Sequence, residues 1–283
     1  MKTEEHYLTA TEISAFVRRL RDEEREANTI EKYLRNIRAF AAWLGDRPVT
    51  KDMAAGWKEH LQAGGCQPGT VNSMLSALNK FFTFIGRDDC RVKYLKVQKR
   101  LFRSTEKELT KAEYLRLLET AQNLGKTRLA LLMETICATG IRVSEVKYIT
   151  VEAIQAGRAD ISLKGKIRTI LLPGKLCRKL QKYAKKQKTA SGEIFLTRNG
   201  KGLSRRQIWA EMKAICKKAG VAPSKVFPHN LRHLFARTFY HICHDVAKLA
   251  DILGHSSIET TRIYLISTGS EHARQLERLG LIS

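Results

Sequence analysis

The sequence predicts a mainly α protein with a small β component, an N-terminal helical bundle followed by an α+β domain, on three observations. Apolar residues recur at helical spacing through most of residues 9–85. Over residues 92–108 that period is lost and charge accumulates, as in an exposed connection between domains. Strand-like alternation then appears at residues 161–172, set among further helical stretches.

Thr9 and Glu12 stand in the relation of a capping box before Ile13, Phe16, Val17 and Leu20, so the spacing predicts a helix over residues 9–26. A second, at 29–44, turns Ile30, Tyr33, Leu34, Ile37, Phe40, Ala41 and Leu44 inward and leaves Lys32, Arg35 and Arg38 outside. A third follows Thr50. A fourth starts near Thr70, burying Val71, Met74, Leu75, Leu78, Phe81 and Phe82. Beyond the connection, Thr110 and Glu113 cap another helix, and a strongly apolar one spans 128–137 and stops at Thr139-Gly140. Residues 161–172 form a β-hairpin with Gly165 at its tip between Lys164 and Lys166. Helices resume at 175–188 and at 204–218, the latter closed by Gly220, and a detached terminal helix is expected at 270–282.

The 283 residues suffice for two ordinary domains. Lys and Arg number 51 against 28 Asp and Glu, a net charge of +23 that points to a polyanionic partner, nucleic acid before an anionic membrane. Residues 1–100 carry +5 and the remainder +18, so the second part should make the tighter contact. With no apolar run near the roughly 18 residues needed to span a bilayer and no signal-peptide core at the N-terminus, a cytoplasmic protein without membrane partners is expected. Six scattered cysteines without a C-x-x-C pair read mostly as buried free thiols, not disulfides or zinc ligands.

The most unusual polar residues lie at 229–264. Pro228 fixes an extended approach to a helix whose apolar residues are Leu231, Phe235, Ala236, Phe239 and Ile242, placing His229 and Arg232 one turn apart on one face. Gly254 of Leu253-Gly254-His255 ends a second helix, and Ser256 with Glu259 has the form of a capping box opening a third, which carries Tyr264. His, Arg, His and Tyr without a carboxylate pair are equipped to hold an anion and offer it a nucleophile, a phosphate ester above all. His229 and His233 are spaced as in a zinc helix, but such a metalloprotease helix needs Glu where Asn230 stands.

Taken in order, Thr139-Gly140-Ile141-Arg142-Val143-Ser144-Glu145, Lys164 in the hairpin, His229-Asn230-Leu231-Arg232-His233, Leu253-Gly254-His255 and Tyr264 resemble the tyrosine site-specific recombinases, or phage-type integrases. The simpler Xer-like or transposon-type members are the closer comparison. The resemblance implies a helical core-binding domain at 1–98, a basic linker at 99–108, a tyrosine-recombinase catalytic domain at 109–269 and a C-terminal helix at 270–283 exchanged with a neighbouring protomer. The two domains would grip double-stranded DNA as a C-shaped clamp, on inverted half-sites, as a homotetramer on two duplexes. Arg142 and Arg232 would hold the non-bridging oxygens of the scissile phosphodiester. Lys164 would protonate the departing 5′ oxygen, His229 would assist proton transfer, His255 would donate a hydrogen bond to the phosphate, and Tyr264 would attack to form a 3′-phosphotyrosine. Glu145 and His233 would orient these groups. Two arginines and imidazole donors stabilise the charge that builds on the equatorial oxygens, so neither metal nor other cofactor is required.

Blander readings stand beside these. Arg142 can be a helix-end ion pair, Tyr264 a half-buried aromatic, and Lys166 can replace Lys164 as the acid if the hairpin tip shifts. Two rival functions also remain at this point, a type IB topoisomerase using a similar residue set and a non-catalytic DNA-binding regulator.

Overall fold

The computed structural model describes residues 5–97, 105–163, 166–264 and 277–279. The chain divides into two compact units, residues 1–99 and 100–283.

The first unit is four helices, α1 (Ala10–Asp22), α2 (Ala27–Leu44), α3 (Lys51–Ala63) and α4 (Pro68–Phe84). The capping box of Thr9 and Glu12 is formed, with each side chain answering the other's backbone N–H. Thr50 caps α3, and Pro68 opens α4 two residues earlier than the expected Thr70, because proline is pre-organised for the first helical position. Phe16, Phe40, Phe81 and Phe82 fill the interior, with Phe16 edge-on to Phe81 at 5.3 Å and Phe40 edge-on to Phe82 at 5.9 Å.

The expected exposed connection does not begin at Val92. Val92 is buried, and the side-chain amide of Asn79 donates to its carbonyl and accepts from its N–H, both at 2.9 Å. Asn72 grips Leu95 in the same way at 2.9 and 2.8 Å. Two asparagines on α4 thus act as a substitute strand for the departing chain, which leaves the bundle only after residue 95.

The second unit contains α5 (Lys111–Asn123), α6 (Thr127–Thr139), α7 (Val151–Ala156), strands β1 (Arg158–Leu163) and β2 (Lys166–Leu171), α8 (Gly174–Lys186), α9 (Arg205–Lys213), α10 (Cys216–Ala219), α11 (Pro228–Cys243), α12 (Val246–Leu253) and α13 (Ile258–Arg262). α6 is its axis: Leu129, Leu132, Met133 and Ile136 are buried, and both α5 and α11 pack against it. The strands are antiparallel with Leu163 opposite Lys166, so the hairpin starts at Arg158, earlier than its alternation suggested. Lys164 and Gly165, the expected catalytic lysine and tip, lie outside the described residues, as do the side chain of Lys166, residues 98–104 of the linker, and most of the C-terminal helix expected at 270–283.

Four further expectations are corrected. The single helix over 204–218 is two, because the chain breaks at residues 214–215 between α9 and α10. A 3-10 turn, Val143–Tyr148, and α7, capped by Thr150, were not anticipated; each is only six residues long, too few for a repeating apolar stripe. Ile242 is exposed although it shares the spacing of Leu231 and Phe235, since α11 outruns the core near its C-terminus. Of the cysteines only Cys90, Cys177 and Cys216 are buried; Cys243 is exposed.

Candidate active site

Two chain reversals and a short capped helix gather the polar residues. Gly140 ends α6 with a left-handed φ of +66°, and a Cβ there would run into the ring of Phe235 on α11. Only glycine satisfies both the dihedral and the close approach. The reversal aims the Gly140 carbonyl at α11 and sets Arg142 at the start of the 3-10 turn. Gly254 ends α12 at φ +63°, and a Cβ there would strike the side chain of Arg168. α13 follows, capped by Ser257 and not by the expected Ser256; the Ser257 hydroxyl accepts from the N–H of Glu259 at 3.2 Å. Tyr264 lies two residues past the end of this short helix, its N–H bonded to the Thr261 carbonyl at 2.9 Å.

Arg232 is at the centre. It is only 1% exposed, and its guanidinium donates to the Gly140 carbonyl at 2.5 Å, the Leu253 carbonyl at 2.8 Å and His255 Nε2 at 2.9 Å. Burial, then the neighbouring Arg142, pushes its pKa down to about 10, so it remains a cation at neutral pH. Arg142 is more open, its side chain 41% exposed; it donates to Glu145 Oε1 at 2.9 Å and to the Gly254 carbonyl at 3.4 Å.

Tyr264 is 5% exposed and forms a small cluster with Ala236, Leu249 and Leu253. Three imidazoles surround its ring. His255 stacks on it at 5.7 Å and 9°, His233 meets it edge-on at 4.3 Å, and His229 lies at 5.9 Å. The His229 pKa is lowered by burial and then by Arg232 and Arg142, and the His255 pKa falls to about 4 for the same reasons with Arg168 added. Both rings are neutral at pH 7. Because a guanidinium can only donate, His255 Nε2 is the acceptor of the Arg232 bond, and its Nδ1–H donates to the Thr261 hydroxyl at 2.7 Å.

Glu145 is the charged residue beneath the pocket. At 2% exposure it accepts from the Arg142 N–H at 2.7 Å and pairs with the Arg142 and Arg168 side chains. Arg168, which also donates to the Ile252 carbonyl at 3.1 Å, was not anticipated. A signal for it exists: Arg168 has the parity of the buried Ile170 and Leu172, opposite to the exposed Leu171, and an arginine on the inward face of a strand needs a buried partner. With neutral histidines the pocket holds three guanidiniums against one carboxylate, so it is suited to an anion.

Arg142, His229, Arg232, His233, His255, Tyr264 and Glu145 therefore meet in one place, whereas the side chain of Lys164 lies outside the described residues. Asn230, which separates His229 from Arg232 by sequence, points away. Its amide donates at 2.7 Å to the carbonyls of both Lys107 and Lys225 and secures the start of the unit to α11.

Comparison with known proteins identifies the family. The phage integrase family model matches residues 107–271, and the phage integrase N-terminal SAM-like domain matches residues 13–88. The chain belongs to the phage integrase family, the tyrosine recombinases, enzymes that cleave and rejoin DNA. Among relatives, tyrosine recombinase XerD of Brucella melitensis is 31% identical over 84% of this chain and 86% of its own length. Tyrosine recombinase XerA of Pyrococcus furiosus is 29% identical over 98% and 97%. The fold is shared with a lambda integrase dimer bound to a core site (TM-score 0.74, 19% identity, 90% and 94% covered) and with the Tn1549 transposon integrase bound to transposon right-end DNA (TM-score 0.72, 20% identity, 95% and 99% covered). Among the described residues no helix is long and apolar enough to cross a membrane.

Proposed function

We propose that this protein recombines DNA at specific sites through a 3′-phosphotyrosine on Tyr264 and a Holliday junction, acting in the cytoplasm. The observation that carries this reading is the gathering of Tyr264, the buried Arg232 and three imidazoles, with the more open Arg142 beside them. A phosphodiester entering there replaces carbonyls as the partner of Arg232 and takes a second guanidinium from Arg142. The tyrosine oxygen attacks phosphorus as the P–O5′ bond breaks; the phenolic proton passes towards neutral His229, and Lys164 protonates the departing 5′ oxygen. The ester retains the bond energy, so a new 5′ hydroxyl can reverse the reaction on an exchanged partner strand. No metal or cofactor enters these steps.

Residues 1–98 would supply a DNA-binding domain and 99–108 a basic linker, with 109–269 the catalytic domain. Inverted half-sites on each of two duplexes and a homotetramer follow from strand exchange in pairs. Lambda integrase and XerH, similar in fold, are known bound to a Holliday junction and to a difH substrate.

The test is a pool of nicked duplexes with randomised half-sites, incubated with the protein and run on a denaturing gel. A covalent band that Tyr264→Phe abolishes supports the assignment, and a band that survives the substitution overturns the nucleophile. Recovery of exchanged partner strands, and not merely changed linking number, separates recombination from topoisomerase action. Binding without any adduct points instead to a regulator.

A further inference from the structure

The hydroxyl of Thr261 has no part in the chemistry above, yet it is completely buried and lies 2.7 Å from His255 Nδ1. It precedes Tyr264 by three residues, and the Tyr264 N–H is bonded to the Thr261 carbonyl. One residue thus touches the histidine through its side chain and the nucleophile through its backbone.

Within this set of hydrogen bonds the tautomer of His255 is dictated from both sides. Arg232 can only donate to Nε2, so the ring carries its single proton on Nδ1 and gives it to Thr261. Once a phosphate takes over Arg232, Nε2 is released, and it can donate to a phosphate oxygen only if it bears the proton. One proton then leaves Nδ1 for solvent and one joins Nε2, with the charge of the ring unchanged. Nδ1 becomes an acceptor and needs a donor. A carbonyl or carboxylate in place of Thr261 would hold the proton on Nδ1 permanently, whereas a hydroxyl can reverse its direction.

We propose that Thr261 is a positioning residue that lets His255 exchange tautomers, accepting its proton while Arg232 holds Nε2 and donating to it when phosphate is bound. The inference rests on the recombinase reading, because it gives His255 a task on the phosphate.

Adduct formation on the nicked duplexes is measured for wild type, Thr261→Val, Thr261→Ser and His255→Ala, alone and with Thr261→Val added. Thr261→Val, which has the same shape without the hydroxyl, is expected to slow cleavage by about tenfold or more, the size of one lost hydrogen bond to a charged group. Thr261→Ser is expected to restore it, and adding Thr261→Val to His255→Ala to cost little further. A full additional loss in the double variant would mean a purely structural role and overturn the proposal. Should Thr261→Val not fold, 15N NMR of the wild-type histidines decides. The proton of His255 is expected on Nδ1 in the free protein and on Nε2 after addition of inorganic vanadate; a proton that stays on Nδ1 overturns the idea. Wild-type protein that forms no adduct would defeat the recombinase reading itself, independently of Thr261.

Discussion

Replacing Glu145 with glutamine keeps its shape and removes the carboxylate that balances two of the three guanidiniums. Breaking a buried ion pair costs ~3–5 kcal/mol, because the remaining partner is left uncompensated. The two arginines differ in how they can respond. Arg142, 41% exposed, can turn to water, whereas the Arg168 side chain, 15% exposed, is held between Gly254 and Glu145. The loss therefore belongs at the low end, about 3 kcal/mol. For a unit the size of residues 100–283 each kcal/mol moves the unfolding midpoint ~2–4 °C, so Glu145→Gln should lower it by about 6–12 °C. Differential scanning calorimetry reads this directly. Adding Arg168→Met should recover most of the loss, since removing both partners leaves no orphaned charge. A midpoint within about 2 °C of wild type for the single variant would refute the view that Glu145 balances a buried charge.

Gly254→Ala should forfeit ~1–2 kcal/mol from its left-handed dihedral alone, and more as Arg168 is displaced; urea unfolding together with adduct yield checks it, and an unaffected yield contradicts the packing described. The histidines give a pH dependence of definite sign. The folded pKa of His255, about 4, lies below the unfolded value, and that of His229 is also lowered, so the unfolded chain binds more protons between them. This contribution leaves stability intact above about pH 6.5 and erodes it as pH falls towards 4; midpoints across that window should fall less steeply in His255→Asn than in wild type. Asn230→Ala strips two carbonyls of their donor and should cost ~1–3 kcal/mol in urea unfolding, with His229 and Arg232 themselves unaltered. Removing residues 270–283 should leave cleavage measurable but impair the pairing of duplexes, read by native gel shift; unchanged recombination would show that the tail does not link protomers.

Features written in neighbouring residues were legible in advance. The capping boxes at Thr9 and Thr110 need only residues three apart, and Gly140 and Gly254 follow from helix ends that demand a left-handed turn. Even there, the expected cap Ser256 gave way to Ser257, and the short α13 starts one residue later than expected. What stayed hidden depends on partners far along the chain. Arg168 meets Glu145 and Gly254 only when the hairpin folds over the 3-10 turn, and Thr261 meets His255 only once Gly254 has reversed the chain. Asn79 and Asn72 gave no local hint that they would hold Val92 and Leu95, because an asparagine that pairs with a backbone looks in sequence like any polar helix residue.

The five residues of α13 are too few to hold a helix by themselves. Ile258 and, just past its end, Ile263 face outward, and what ties this segment to the unit is Thr261 and the ring of Tyr264 among Ala236, Leu249 and Leu253. The proposed nucleophile is thus also an anchor. On the proposed mechanism its oxygen becomes joined to a DNA strand, and the chemical state of one atom would then be written into the footing of the whole segment. A cut strand and an uncut strand then present different surfaces to anything that rests on α13, before any other part of the chain has moved.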